Sequence, residues 1–250
     1  MATTPKNLQQ FEYLYIRTLS CNSSILKYLL PLVFIFILGC PITRSETPQL
    51  WDSTHFRILE KEETRLDLTL HGRLSDELSK VSLFQIQPKL SHQVAKGLRL
   101  GLNYSYFFVR RTNDNSGEDQ YLNQNRVEFE VMPEFKPIRL FNLAQRTRYE
   151  YLMDNDFRKL NSRLRHRMQL ISEPVNDGGL RFFTGTELFY DIGASSFNQA
   201  RTIPIGLRFP ILQIDWSISP MWLALKQDSG WEHAAVVQLE TWIDFMKLTN

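Results

Sequence analysis

Charged and apolar residues alternate along the middle of the chain, most clearly in segments 124–132, 143–151 and 162–170. The charged positions of these segments are Arg126, Glu128, Glu130, Arg146, Arg148, Glu150, Arg163, Arg165 and Arg167. Because successive side chains on a β-strand point to opposite faces, each segment has one charged side and one apolar side. The pattern predicts three consecutive strands of a sheet whose two surfaces are chemically opposed.

The same spacing of two continues through most of residues 51–250 and predicts an all-β fold. Long amphipathic helices are not expected, because apolar residues recur at every second position rather than every third or fourth. Eleven β segments are predicted, at 51–60, 63–73, 80–91, 97–110, 124–133, 138–152, 161–173, 179–191, 198–209, 211–225 and 231–246. Short connections alternate with longer polar ones, which is typical of an antiparallel up-and-down barrel.

Periodicity alone leaves open which face of such a barrel points inward. A transmembrane β-barrel has an apolar outer surface and a polar lumen. A soluble or lipid-anchored periplasmic barrel would instead turn its apolar face inward, around an apolar ligand. Three features favour the membrane orientation. The strands are about 10–14 residues long, enough to cross a bilayer at a tilt; aromatic residues gather near the ends of the apolar faces; and the polar face prefers Arg to Lys.

The expected number of strands follows from parity. Bacterial single-chain barrels of the outer membrane have an even number of strands, whereas eleven segments are recognised. Either segment 51–60 lies outside the wall, which leaves ten strands, or one strand is missed, which makes twelve. The sequence therefore predicts a barrel of 10–12 strands, with twelve favoured.

Charged side chains would meet in the lumen of such a barrel. The predicted lumen network comprises Arg126, Glu128, Glu130, Arg146, Arg148, Glu150, Arg163, Arg165, Arg167, Arg181, Glu187 and Arg201. An isolated charge in a confined interior is costly, so opposite signs on neighbouring strands are expected to pair. A barrel this narrow has little spare lumen, which favours a structural filling. The alternative is an Arg-lined path for small anionic solutes, a porin-like role.

The first fifty residues carry an export pattern. Lys27 precedes an apolar stretch, residues 29–38, that is shorter than the roughly 20 residues a transmembrane helix needs. It fits the central region of a signal peptide, with cleavage expected at 40–47 and a single β-barrel domain at 48–250. Cys40 follows Leu38 and Gly39 and is a candidate lipidation site, as in bacterial lipoproteins. The expected location is the bacterial outer membrane, with its lipid and the barrel assembly machinery as partners.

Composition excludes several other classes. A net charge of +2 argues against a dedicated nucleic-acid binder, which normally carries a strong basic excess. The five histidines are scattered, both cysteines precede residue 50, and no phosphate loop or dinucleotide fingerprint occurs, so neither a metal nor a cofactor is expected.

An outer-membrane lipid hydrolase remains an alternative to a non-catalytic barrel. It would use His166, which has the parity of the apolar face, and Ser162 lies on the same predicted strand. No acidic partner for this pair is evident, although a catalytic base needs a group that orients it.

With the strands placed, the chain resembles a bacterial family called domain of unknown function 2490, whose members are predicted outer-membrane β-barrels. The resemblance covers about residues 51–246. It is carried by Trp51, Arg126-Val-Glu128-Phe-Glu130, Arg146-Thr-Arg148-Tyr-Glu150-Tyr151, Arg163-Leu-Arg165-His-Arg167, Gly185-Thr-Glu187-Leu-Phe189-Tyr190, Phe197-Asn-Gln-Ala-Arg201 and Gly206. It implies an exported envelope protein of unassigned activity and supplies no catalytic residues.

Overall fold

Eleven β-strands close into a barrel in the part of the chain that the computed structural model describes, residues 48–75, 78–112, 117–227 and 230–248. The strands are β1 (Gln49–Lys61), β2 (Thr64–Ser75), β3 (Lys80–Ala95), β4 (Leu98–Thr112), β5 (Asp119–Ile138), β6 (Phe141–Met153), β7 (Lys159–Ser172), β8 (Arg181–Asp191), β9 (Ser196–Ile211), β10 (Ile214–Gln227) and β11 (Gly230–Asp244). One helical turn, α1 (Phe245–Leu248), follows. Within these residues no helix is long and apolar enough to cross a membrane.

Each of the eleven predicted segments corresponds to one strand, and the all-β barrel is confirmed. The expectation of an even number, with twelve favoured, is wrong. Segment 51–60 belongs to the wall, because β1 pairs with β11 from Gln49↔Val236 to Arg57↔Asp244. In an odd set of alternating strands the first and the last run in the same direction, so closure requires this one parallel pair. All other neighbours are antiparallel.

The two ends of the barrel differ in their connections. At one end, which we call the turn end, four of the five connections have two residues, 62–63, 96–97, 139–140 and 212–213, and the fifth is the longer segment 173–180. At the opposite end, the loop end, β6 and β7 are joined by residues 154–158. The N–H groups of Asp156 and Arg158 each donate to the Asp154 carboxylate at 2.9 Å. The hydrogen bond from the Arg158 backbone makes the largest contribution to lowering the pKa of Asp154, and the one from Asp156 lowers it further. Both bonds hold this longer connection together.

The outer surface of the barrel is apolar in a continuous row. Direct cross-strand partners link the outward side chains of eight consecutive strands, from β2 to β9: Leu66, Leu90, Leu102, Phe129, Tyr149, Leu164, Tyr190 and Phe197. At the centre of this row Phe129 is 56% exposed. The charged faces of the same strands point into the lumen, so the apolar interior required by the soluble, ligand-binding alternative is contradicted over this part of the wall.

Part of the lumen wall is nevertheless apolar. On β1 and β8–β11 the inward residues form a buried cluster of Trp51, Phe183, Ile203, Met221, Leu223, Ala234 and Val236. This cluster was not predicted from the sequence, because the inward positions of every strand were expected to be polar. The cluster gives the narrow barrel a small hydrophobic core beside its charged wall.

Gly206 is required by the close approach of Phe183. The two residues are direct partners on β8 and β9, and a Cβ atom on Gly206 would lie 2.2–2.6 Å from atoms of the Phe183 ring. The ring belongs to the buried apolar cluster and cannot swing into solvent. The aromatic ring therefore occupies the space that a side chain at this glycine would fill.

We expect Gly206→Ala to lower the free energy of unfolding by about 1–3 kcal/mol, the usual cost of overpacking a core. Gly72→Ala on β2 is the matched control, because nothing lies within 4 Å of a Cβ atom there. Urea unfolding in detergent micelles, followed by tryptophan fluorescence, measures both variants. Equal midpoints for the two would contradict this account of Gly206.

Candidate functional site: the charged lumen

Glu128 on β5 is one of the two fully enclosed acids of the lumen, with no exposed surface. Its carboxylate accepts hydrogen bonds from Gln87 Nε2 at 2.7 Å and from Asn103 Nδ2 at 2.9 Å. Arg126 Nε lies 2.5 Å and Arg148 Nη1 2.9 Å from its oxygens. The charge is thus compensated by side chains from four strands, as a buried carboxylate requires.

Three further carboxylates extend this arrangement around the wall. Glu130 contacts Lys89 at 2.5 Å and also Arg148. Glu150 contacts Arg126 at 3.2 Å and Arg165 at 3.4 Å, and it also contacts Arg163 and Arg148. Glu187 on β8 is bound by Arg165 at 2.6 Å, Arg146 at 3.1 Å and Arg201 at 3.4 Å. Acids and bases therefore connect β3 to β9 through shared partners.

The strand register places several like charges directly opposite one another. Glu128 faces Glu150, Arg148 faces Arg165, and Arg146 faces Arg167. Like charges in direct cross-strand positions are destabilising. The long arginine side chains relieve this by reaching diagonally, as Arg146 does when it crosses from β6 to Glu187 on β8. Each ion pair therefore depends on the register of more than one strand pair.

An aromatic side chain completes the middle of the network. Phe189 has no exposed surface, and the guanidinium carbons of Arg201, Arg165 and Arg163 lie 4.5, 4.8 and 5.0 Å from its ring centroid. Arginine stacks favourably on an aromatic face, and the ring keeps three like charges in fixed positions. Packing and charge therefore hold these arginines together.

The structure links ten of the twelve predicted lumen residues by ion pairs. Arg167 and Arg181 are the exceptions, since neither makes an ion pair with a described residue. Arg167 lines a cavity toward each end of the lumen, whereas Arg181 begins β8 at the turn end. The prediction missed Gln87, Lys89, Asn103 and Ser105, which contact Glu128 or Glu130. Their alternation with apolar residues on β3 and β4 could have identified them.

One cavity lies toward each end of the lumen. The turn-end cavity has a volume of about 460 Å³ and is lined by residues such as Arg57, Arg208 and Asp244. The loop-end cavity has a volume of about 290 Å³ and is lined by Trp51, Arg73 and their neighbours. A shared layer lines both: His55, Thr69, Gln87, Arg146, Arg148, Arg167 and Glu240. Three arginines thus belong to the layer that the two cavities share.

The candidate hydrolase pair is not assembled. His166 Nδ1 lies 2.9 Å from Thr147 Oγ1, and Ser162 Oγ accepts a hydrogen bond from the Tyr149 hydroxyl at 3.2 Å. Four residues along an extended strand separate Ser162 from His166 by roughly 13 Å, too far for proton transfer. The alternative that uses these two residues together is therefore contradicted by geometry.

No group of three or more His, Cys, Asp and Glu side chains within the described ranges is placed to hold a metal ion. Cys40 and the predicted signal peptide lie outside the described residues.

Comparison with known proteins gives one match. The model of a family described as "Protein of unknown function (DUF2490)" matches residues 48–230. Neither the curated proteins nor the solved structures contain a significant match to this chain. The matched range runs from the start of β1 to the start of β11 and includes every strand that carries the charge network. The resemblance noted in the sequence is therefore confirmed, and the chain belongs to the DUF2490 family.

Proposed function

We propose that this protein is an outer-membrane β-barrel of the bacterial envelope, without catalytic activity, whose braced lumen admits at most small solutes. The observation that carries this proposal is the apolar row on the outer surface. Its members Leu90, Leu102, Tyr149 and Leu164 are between 38% and 50% exposed. A contiguous apolar surface of this extent is a liability in water and is favourable against lipid hydrocarbon.

Closure of the barrel supports the same proposal. Every strand of the described barrel has a hydrogen-bonded neighbour on both sides. In hydrocarbon, unpaired backbone groups cost several kcal/mol each, so a sheet can span a bilayer only when it is closed. The lumen charges would then lie away from lipid, where the four wall carboxylates are compensated by basic side chains.

The state of the lumen supports a structural role or a narrow passage rather than a wide pore. The network from β3 to β9 fills one side, and the apolar cluster covers the other. The turn-end and loop-end cavities share a layer of lining residues that contains three arginines. Any solute that crosses must pass this positive layer, which favours small anions.

Membrane fractionation with a heat-modifiability gel tests the proposal. The chain is expressed in a bacterium that has an outer membrane, and its gel mobility in detergent is compared with and without boiling. We expect the protein in the outer-membrane fraction and a faster-migrating form without boiling, as for a closed barrel that resists detergent. Planar-bilayer conductance then separates a narrow pore from a closed barrel. Recovery as a soluble periplasmic protein would overturn the proposal.

A further inference from the structure

The loop-end cavity carries a surplus of positive charge. Eight arginines line it, together with one carboxylate, that of Glu240. Six of these arginines share the four wall carboxylates of Glu128, Glu130, Glu150 and Glu187. Counting all five acids, at least three positive charges remain without a negative counterpart. A confined surplus of this kind attracts anions strongly, because field lines are focused between walls of low dielectric.

Arg73 and Arg167 are the two arginines of this cavity that make no ion pair with a described residue, and Arg73 is the one held by an aromatic contact and a hydrogen bond. Its guanidinium carbon lies 3.9 Å from the centroid of the Trp51 ring. Its Nε donates to His71 Nε2 at 3.0 Å, and His71 Nδ1 lies 2.6 Å from Ser53 Oγ. Since His71 Nε2 accepts a hydrogen bond, the ring proton is on Nδ1, which donates to Ser53. Stacking and one hydrogen bond thus orient the guanidinium of Arg73.

The two terminal amino groups of Arg73 have no partner among the described residues. Neither makes a hydrogen bond or an ion pair with any residue in the described part of the chain. Arg201 lies over the same Trp51 ring, with its guanidinium carbon 4.7 Å from the centroid, and Glu187 is its nearest acid at 3.4 Å. Two guanidinium groups are therefore held beside one indole ring. The terminal N–H donors of one of them, Arg73, make no hydrogen bond with a described residue.

We propose that the loop-end cavity is a binding site for a small solute anion that carries a phosphate or carboxylate group, with Arg73 as its principal contact. The planar fork of arginine matches two oxygens of either group. Arg201 adds a second positive charge to the same cavity. The cavity volume of about 290 Å³ accommodates a small metabolite and not a polymer. A lipid headgroup would have to leave the bilayer to reach this interior site, so the ligand is a dissolved anion.

Isothermal titration of the refolded full-length protein with inorganic phosphate, at low ionic strength, tests the inference. We expect saturable binding to the wild type and an affinity at least about tenfold lower for Arg73→Gln, the loss typical of a charged hydrogen-bond donor. Arg57→Gln is the matched control, because Arg57 lines the turn-end cavity and is paired with Asp244 at 3.2 Å. We expect its affinity for phosphate to stay within about twofold of the wild type, since exposed or distant charges contribute little.

Arg73→Lys keeps the charge but removes the fork, and it provides a second test if Arg73→Gln does not fold. We expect a smaller loss of affinity than for glutamine. Absence of saturable phosphate binding to the folded wild type, or equal affinities in the wild type and the Arg73 variants, would overturn the inference. Binding depends on the lumen alone, so a soluble protein that binds phosphate would refute the outer-membrane proposal and leave this inference standing.

Discussion

Replacing Glu150 with glutamine is expected to lower the free energy of unfolding of the barrel by about 3–5 kcal/mol, the usual cost of removing one partner from a buried charge network. The Glu150 side chain has no exposed surface, and its carboxylate contacts four arginines. Three of these have a second carboxylate partner, whereas Arg163 has no other among the described residues. Urea unfolding in detergent micelles, followed by tryptophan fluorescence, measures the change.

Two further variants separate the charge effect from a general disturbance. Glu134→Gln is the matched control, since Glu134 is an exposed residue near the end of β5, and we expect a change within about 0.5 kcal/mol. The double variant Glu150→Gln, Arg163→Gln removes the arginine that would be left unpaired together with the acid. We expect it to recover part of the loss, with a coupling energy of about 0.5–3 kcal/mol. A Glu150→Gln barrel as stable as the wild type would show that the network does not hold the wall together.

Replacing Phe129 with arginine is expected to cost about 2–4 kcal/mol in a lipid bilayer, the measured range for a cationic side chain on the lipid face of a barrel near the midplane. Phe129 lies in the middle of β5, between Leu102 and Tyr149 in the outer apolar row. Its side chain contributes nothing to the lumen, so the cost arises only if the outer surface faces hydrocarbon. Folding equilibria in lipid vesicles and the yield of folded protein in the outer-membrane fraction measure this effect.

Leu140→Arg provides the control for this substitution. Leu140 is 64% exposed and lies in the connection between β5 and β6, at the turn end. A charge near the membrane interface costs only about 0–1 kcal/mol. If Phe129→Arg and Leu140→Arg are equally stable and the first is the more soluble, the outer surface faces water and the outer-membrane proposal fails.

Much of the fold could be predicted from alternation alone. Every strand was located, because a period of two persists along almost every strand and polar connections interrupt it. The division of Arg126, Glu128 and Glu130 from Val127, Phe129 and Val131 followed from the same period. Which of the two faces lies inside could not be predicted from periodicity, because a barrel with its apolar face outward and a barrel with that face inward have the same pattern.

The strand number and the apolar part of the lumen were predicted less well. The parity rule for bacterial barrels suggested that eleven segments were one too many or one too few. The parallel pairing of β1 with β11 is a contact between residues almost 190 positions apart, and no local pattern reports it. Met221, Leu223, Ala234 and Val236 occupy inward positions and break the polar pattern, so their clustering with Trp51 became visible only after closure.

The sequence by itself determined the strands, their two chemically opposed faces and the set of charged residues available to pair. Only the tertiary structure decided how those charges are compensated, because the register places Glu128 opposite Glu150 and brings Arg146 into an ion pair with Glu187. Closure also brings Trp51 and Arg73 from the first two strands beside Arg201 from the ninth. The physical reason is that alternation is encoded between neighbouring residues, whereas pairing and charge surplus are properties of side chains that meet only when the sheet is closed.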